Sequence, residues 1–299
     1  MTDMTGVGFE ANRRYLTRLA YRMLGSLSDA EDVVQDAWLR WHAAGPQSIV
    51  QPRAWLAQVV TRLCLDLMKS ARHRREAYVG GWLPEPLIEQ IGAAETNDNG
   101  LDVPYALMLA LERLSPLERA AFLLHDIFDR PFAEVAETLE RSEAACRQLV
   151  SRARRHVQED GARHTLQPEE ARHYATAFFE AAHSTDPTAL RQLLARDAIL
   201  HTDGGGKVTA TLNPIFGAEK IGRFFSGLAR KLHETGQETR PYAPVLLDGL
   251  PGYLSLERGD TMQATALDIR DGRIVAIYVV RNPDKLGRAR ERLMQAAAS

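Results

Sequence analysis

Arg147, Gln148, Ser151, Arg152 and Arg155 fall on one side of a segment whose other side carries Cys146, Leu149, Val150 and Ala153. Arg and Gln are the side chains that pair with guanine and adenine edges in the major groove, and a recognition helix needs them on its outer face. The preceding stretch has an apolar stripe of its own, Phe132, Val135, Ala136 and Leu139, with Pro131 at an allowed helix start. Arg141 and Ser142 interrupt the pattern. Ser142 is placed to cap the second helix, with Glu143 in its favourable first turn. Two short helices about a tight turn read as a helix-turn-helix. An amphipathic helix with a solvated basic face has the same spacing, and short patterns of this kind also arise by chance.

Two further polar faces lie upstream. Ser28 and Glu31 have the spacing of a capping box, and behind them Ala30, Val33, Val34, Ala37, Trp38 and Trp41 form an apolar face. Asp32, Gln35 and Asp36 point the other way, as a solvated strip or as a docking surface for a basic partner. Pro52 opens another helix that buries Leu56, Val59, Val60, Leu63, Cys64 and Leu67. Its outer side is lined by Gln58, Thr61, Arg62, Lys69 and Arg72, with Trp55 near its start. Cations beside an exposed aromatic suit a single nucleic-acid strand, phosphates on the charges and a base on the ring.

The elements that position these faces must come from a chain of 299 residues, 45% hydrophobic, with a formal net charge of −2. That length accommodates two or three modest domains. Near-neutrality excludes a protein that coats nucleic acid by bulk charge. The basic residues are local, Lys69 to Arg75 and Arg147 to Arg155, which favours weak autonomous DNA binding that depends on a partner. Cys64 and Cys146 lie on apolar faces and read as reduced core residues, neither a disulfide nor a metal site. The first residues lack the apolar core of a signal peptide and no run approaches membrane-spanning length, so the expected location is cytoplasmic, without metal, cofactor or membrane contact.

Three stretches together, LTRLAYRMLGSLSDAEDVVQDAWLRW, PRAWLAQVVTRLCLDLMKSARHRRE and LERLSPLERAAFLLHDIFDRPFAEVAETLERSEAACRQLVSRARRHV, resemble the sigma-70 family in its extracytoplasmic-function class. The resemblance implies two all-α domains and a promoter-specificity subunit whose partners are RNA polymerase core enzyme and promoter DNA. It assigns core binding to Asp29, Glu31, Asp32, Gln35 and Asp36, and the −10 element to Trp55, Arg62, Lys69 and Arg72. Many family members carry Asn where this chain has Arg62. The −35 element falls to Arg147, Gln148, Ser151, Arg152 and Arg155 on the second helix of the helix-turn-helix.

Gly80, Gly81, Pro84 and Pro86 forbid a regular helix after residue 77, and the acidic, Asn-rich end of this stretch reads as a linker. Trp82 and Leu83 are out of place in solvated chain. Burying them releases several kcal/mol at about 25 cal/mol per Å², so some surface should cover them. From Gln167 the pattern changes to two helices about an Asp186-Pro187 turn. Short strands follow at 198–201, 207–212, 243–247, 252–257, 262–269 and 274–280, with Asp271-Gly272 as a hairpin signal. A helix pair with a curved antiparallel sheet is an α+β arrangement. It resembles the cone-shaped SnoaL-like fold. Three separated motifs, Trp82-Leu83-Pro84-Glu85-Pro86, Asp203-Gly204-Gly205-Gly206-Lys207 and Asn282-Pro283-Asp284-Lys285-Leu286, resemble those of the SigJ-like subgroup, which carries a fused SnoaL-like domain.

The expected division is 1–76 for the core and −10 domain, 77–103 for the linker, 104–162 for the −35 domain, 166–286 for a regulatory domain and 287–299 for a tail. The three motifs are expected to meet, with the linker packed on the C-terminal domain. His201, Asp203 and Tyr278 supply an acid, a base and a phenol, the parts of a proton-transfer site. A sharp turn explains the glycine run more simply, and it does not precede a helix as a phosphate loop would. Fold analogy supplies no activity, so the expectation is a binding protein, not an enzyme, in which a small-molecule ligand of the third domain stays open. The alternatives are a one-component ligand-sensing helix-turn-helix transcription factor and a SnoaL-like enzyme with a DNA-binding appendage.

Overall fold

The structure is a computed structural model that describes residues 4–297 except 46, 48, 77, 92–104, 159–165, 238 and 259; the side chains of 4–7, 70–76, 106, 158 and 291–297 are also outside the described set. The chain divides into two compact units, Met1–Glu76 with Leu107–Gly161, and Ala77–Ala106 with Ala162–Ser299.

In the first unit three long helices, α1 (Met4–Leu24), α2 (Leu27–Ala44) and α3 (Pro52–Glu76), enclose Leu16, Leu19, Met23, Val33, Val34, Ala37, Trp41, Leu56, Val60 and Cys64. Apolar residues recurring every third or fourth position make one buried stripe per helix. The cap of α2 is Ser26, not Ser28, because the helix begins two residues before the expected box; the Asp29 amide donates to Ser26 Oγ at 3.2 Å. Gly45, in the left-handed region at φ 70°, ends that helix. Thr61, expected on the outer side of α3, is fully buried.

The second helical group is α4 (Tyr105–Glu112), α5 (Pro116–Phe122), a π-helical turn (Leu123–Ile127), α6 (Phe132–Leu139) and α7 (Glu143–Gln158). Ser115 and Glu118 close a capping box at α5, and the Ala145 amide donates to Ser142 Oγ at 3.2 Å at the start of α7. The two helical groups pack together inside one unit. Tyr15 of α1 meets Phe128 edge to face, ring centroids 5.0 Å apart. Arg119, 1% exposed, donates to the carbonyls of Leu111 and Met23, each at 2.8 Å, and to Glu112 Oε1 at 2.6 Å. A buried guanidinium needs such partners, and here they are carbonyls in the last turns of α4 and α1 and the Glu112 carboxylate.

The second unit is a seven-stranded sheet in the order β1-β4-β5-β6-β7-β2-β3. Its strands are β1 (Ile88–Gln90), β2 (Leu194–Asp203), β3 (Ile215–Phe216), β4 (Arg240–Leu247), β5 (Leu250–Glu257), β6 (Thr261–Arg270) and β7 (Arg273–Val280). The helices are α8 (Pro168–Ala182), α9 (Thr188–Leu193), α10 (Ala218–Thr235) and α11 (Pro283–Ala297). Phe178, Leu190, Leu200, Ile221, Phe225, Tyr253, Leu267 and Ile277 form one core between helices and sheet.

Several expectations need correction. The sheet is mixed, because β2 and β7 run parallel, with His201 opposite Tyr278 and Asp203 opposite Val280. Residues 207–212 form a turn and open chain, not a strand. The supposed linker contributes β1, which pairs antiparallel with the β4 edge, Ile88 opposite Leu247 and Gln90 opposite Val245. Residues 287–297 of the expected tail are the continuation of α11. An 18-residue helix, α10, stands where the sequence reading placed nothing.

Arg119→Ala should lower the stability of the helical unit by about 2–4 kcal/mol, since it removes a buried guanidinium and its bonds to two carbonyls and a carboxylate. Urea unfolding followed by the fluorescence of Trp41 and Trp55 should show the lower midpoint.

Candidate functional site

All five −35 candidates, Arg147, Gln148, Ser151, Arg152 and Arg155, are exposed on α7, opposite the buried Cys146, Leu149, Val150 and Ala153. Two are held in place by neighbours. Arg147 Nη2 lies 2.9 Å from Glu143 Oε2 and its guanidinium sits 4.4 Å from the Phe132 ring centroid. Arg152 Nε donates to Glu118 Oε1 at 2.8 Å. Burial pushes the Glu118 pKa up, but the Ser115 hydroxyl and amide and the Arg152 charge together hold it below the usual range. Arg154, absent from the expected set, flanks the face in a two-pronged pair with Asp126 at 2.7 and 2.8 Å.

On α2, Glu31, Asp32, Gln35 and Asp36 are exposed, while Asp29 is half-buried in the first turn. On α3 the picture differs from a free nucleic-acid face. Trp55 is half-buried, its ring 5.8 Å from Trp41. Lys69 pairs with Asp66 at 2.8 Å. Arg62 reaches the C-terminal end of α6, donating to the carbonyls of Glu137 and Thr138 at 3.3 and 3.4 Å and lying 3.1 Å from Glu140 Oε1. A cation at a helix C-terminus is favourably placed. The Arg72 side chain lies outside the described residues.

The three motifs meet in the second unit around Asp203, which is fully buried at the end of β2. Its Oδ1 accepts from Tyr78 Oη at 2.6 Å and from the Gly205 amide at 3.0 Å. Its Oδ2 accepts from the Leu83 amide at 2.9 Å and from Lys285 Nζ at 2.7 Å. Its carbonyl accepts from the amides of Arg281 and Asn282 at 2.7 and 3.1 Å. Lys285 also donates to the Leu83 carbonyl, and its ammonium lies 4.2 Å from the Trp82 ring centroid. Asn282 donates to Tyr78 Oη at 2.8 Å and accepts from the Asp284 amide at 3.0 Å, which makes it the cap of α11. Burial first, and then the Asp203 carboxylate, push the Tyr78 phenol pKa up, so Tyr78 stays a donor. Pro283 opens α11 and Leu286 buries beneath its first turn.

The glycines of the middle motif let these groups approach. Gly205 and Gly206 have φ of 65° and 69°, and a Cβ on Gly205 would stand 2.4 Å from the Asn282 side chain. A Cβ on Gly204 would collide with the Val208 carbonyl at 2.0 Å. Lys207 and Asp284 add an exposed ion pair at 2.6 Å. Leu83 and Pro84 are buried, whereas Trp82 is only half-buried under Lys285. Further along, the Leu87 amide donates to Asp248 Oδ2 at 2.9 Å, and Tyr105 Oη donates to the Pro84 carbonyl at 3.0 Å. Tyr78 and Asp248 were missed by the sequence reading. Asp248-Gly249, at φ 47° and 76°, carries the same hairpin signal as Asp271-Gly272.

The proposed acid, base and phenol do not converge as a reactive group. Asp203 spends both oxygens on four donors, and His201 stacks on Tyr278 with ring centroids 5.4 Å apart. Among the described residues no group of three His, Cys, Asp or Glu could hold a metal, and no helix is long and apolar enough to cross a membrane.

Residues 9–74 match the family described as Sigma-70 region 2, and residues 105–157 match Sigma-70, region 4. Over 292 residues, 93% of this chain and 91% of the relative, the sequence is 40% identical to the extracytoplasmic-function RNA polymerase sigma factor SigJ of Mycobacterium tuberculosis. The chain belongs to the extracytoplasmic-function sigma factors of the sigma-70 family. A probable sigma factor of the same class from M. tuberculosis, SigI, is 31% identical over 97% of this chain and 98% of its own. The crystal structure of M. tuberculosis SigJ aligns with a TM-score of 0.72 at 36% identity, covering 93% of this chain and 97% of that one. This sigma factor thus directs promoter-specific transcription initiation, with region 2 and region 4 helical and a SnoaL-like C-terminal fold built on the mixed sheet. Its partners as a sigma factor are core polymerase and promoter DNA.

Asp203→Ala should destabilise the second unit by about 3–5 kcal/mol, because Tyr78 and two amides lose their acceptor and Lys285 its counter-ion inside the protein. Lys207→Ala, at an exposed pair, should cost less than about 1 kcal/mol. Scanning calorimetry of both variants should separate the two.

Proposed function

We propose that the C-terminal domain governs initiation by holding the segment between regions 2 and 4. The observation that carries this reading is the Asp203 cluster, which fastens Tyr78 and Leu83 to the sheet. Region 2 docks on core polymerase through Asp29, Glu31, Asp32, Gln35 and Asp36, and meets the −10 strand with Trp55, Arg62, Lys69 and Arg72. Region 4 reads the −35 duplex with Arg147, Gln148, Ser151, Arg152 and Arg155. Trp82, Leu83, Pro84, the run Asp203, Gly204, Gly205, Gly206 and Lys207, and the run Asn282, Pro283, Asp284, Lys285 and Leu286 serve as the regulatory contact.

In this reading the helical unit opens on the promoter. The −35 and −10 elements are separate stretches of duplex, and each intervening base pair adds about 3.4 Å to the span. A compact unit of this size is only about 35 Å across. Arg62 then exchanges the carbonyls at the end of α6 and the Glu140 carboxylate for phosphates, to which its guanidinium donates in the same geometry.

Run-off transcription with purified core enzyme tests the assignments. Reversing Asp32 and Asp36 to Lys should abolish holoenzyme formation without changing the melting temperature, since exposed charges contribute little to stability. Arg152→Ala should weaken −35 duplex binding by about 1–3 kcal/mol. Tyr78→Phe should change run-off output while −35 binding stays as in the parent. Normal holoenzyme from the reversed pair, or unchanged output from Tyr78→Phe, defeats the corresponding part.

Opening is tested with labels at Gln58→Cys and Glu137→Cys, which line one groove between α3 and α6. Energy transfer should report a separation that grows on adding core enzyme and promoter DNA, as two separated elements on one duplex require. A constant distance overturns opening.

A further inference from the structure

We propose that the C-terminal unit binds a phosphate-bearing small molecule of nucleotide size in a cleft at the start of β2, nearly the length of that strand away from Asp203. The cleft has a volume of about 920 Å³, within the range of small-molecule sites. Five cations line it, Arg191, Arg196, Lys220, Arg223 and Arg273, against one carboxylate, Glu219. On a chain of net charge −2 such a concentration is no consequence of composition. Like charges gathered around one concavity repel each other, and a bound anion relieves that repulsion.

Glu219 is already engaged, 2.7 Å from Arg191 and 3.9 Å from Arg223. Arg273 is steered by its bond to the Gln192 carbonyl. Arg196 and Lys220 are exposed and, among the described residues, have no ionic partner. Four of the five cations are guanidiniums, whose planar forks match phosphate oxygens in pairs. The cap of α10 is Gly217, which has no side chain to satisfy the first amides of that helix, so they add to the same field.

The body of the ligand is indicated by the rest of the lining. Leu194 and Ala195 give an apolar floor, and Phe216 stands at the cleft with 58% of its surface exposed. A large aromatic left in solvent beside cations is a platform for a flat ring. Phosphate on the guanidiniums and a ring on Phe216 describe a nucleotide-like molecule. A DNA duplex does not fit inside a cleft of this volume.

Isothermal titration of the full chain with ADP, pyrophosphate and adenosine tests this. ADP and pyrophosphate should bind saturably. The double variant Arg196→Ala, Lys220→Ala should weaken both at least about tenfold, the loss of one or two charge-assisted hydrogen bonds. Phe216→Ala should weaken ADP and leave pyrophosphate unchanged. All three side chains are exposed, so circular dichroism should match the parent. No saturable binding at millimolar ligand, or equal binding by the double variant, overturns the proposal. So does a double variant that loses affinity only for promoter duplex, which would assign the cations to DNA. ADP binding that ignores Phe216→Ala overturns the assignment of the ring.

Discussion

A carboxylate sealed from water has to find its compensation inside the protein, and Asp203 finds it in chain segments that are far apart in sequence. Tyr78 and Leu83 come from about 120 residues before it and Lys285 from 82 after it. Either alone would leave the charge underpaid. Lys285 neutralises it but offers one donor at that oxygen, and the Tyr78 and Leu83 donors satisfy lone pairs without neutralising it. The charge therefore forces a three-way junction. The glycines at 204–206 are the steric condition for that junction, because side chains there would hold Asn282 and the Val208 carbonyl away. Conformational freedom and electrostatics are thus two halves of one requirement.

The helical faces were legible because period alone decides them. The stripe of α7 placed Cys146, Leu149, Val150 and Ala153 inside and the five polar residues outside, and the structure has each on its expected side. Convergence of the three motifs was also legible, from resemblance together with the incongruity of Trp82 and Leu83 in a linker. What escaped depends on tertiary partners. From the sequence Thr61 and Trp55 read as outer-face residues of α3, yet Thr61 is fully buried and Trp41 packs beside Trp55. Strand β1 has no strand-like period in three residues and exists because the β4 edge offers unpaired groups. Helix α10 is the one avoidable omission, since Ile221, Phe225 and Ala229 recur at four-residue intervals between Gly217 and Gly236.

The Arg62 contact shows why residue type does not fix a partner. Carbonyl oxygens at a helix end and phosphate oxygens on a strand present similar partial charge to a guanidinium. In the free protein that side chain joins region 2 to region 4 through two neutral carbonyls and the Glu140 carboxylate, and the proposed −10 contact would have to replace all three. Arg152 follows the same logic with the Glu118 carboxylate, at 2.8 Å.

Strand β1 carries a consequence for modularity. The second unit is discontinuous, formed from 77–106 and 162–299, so region 4 is an insertion within it in the order of the chain. A transplant that began after region 4 would carry β4 as a bare edge, open to pairing with another copy, and would leave Asp203 facing an empty seat. The portable cassette is the linker together with the sheet, and a fusion boundary drawn in sequence order cuts through it.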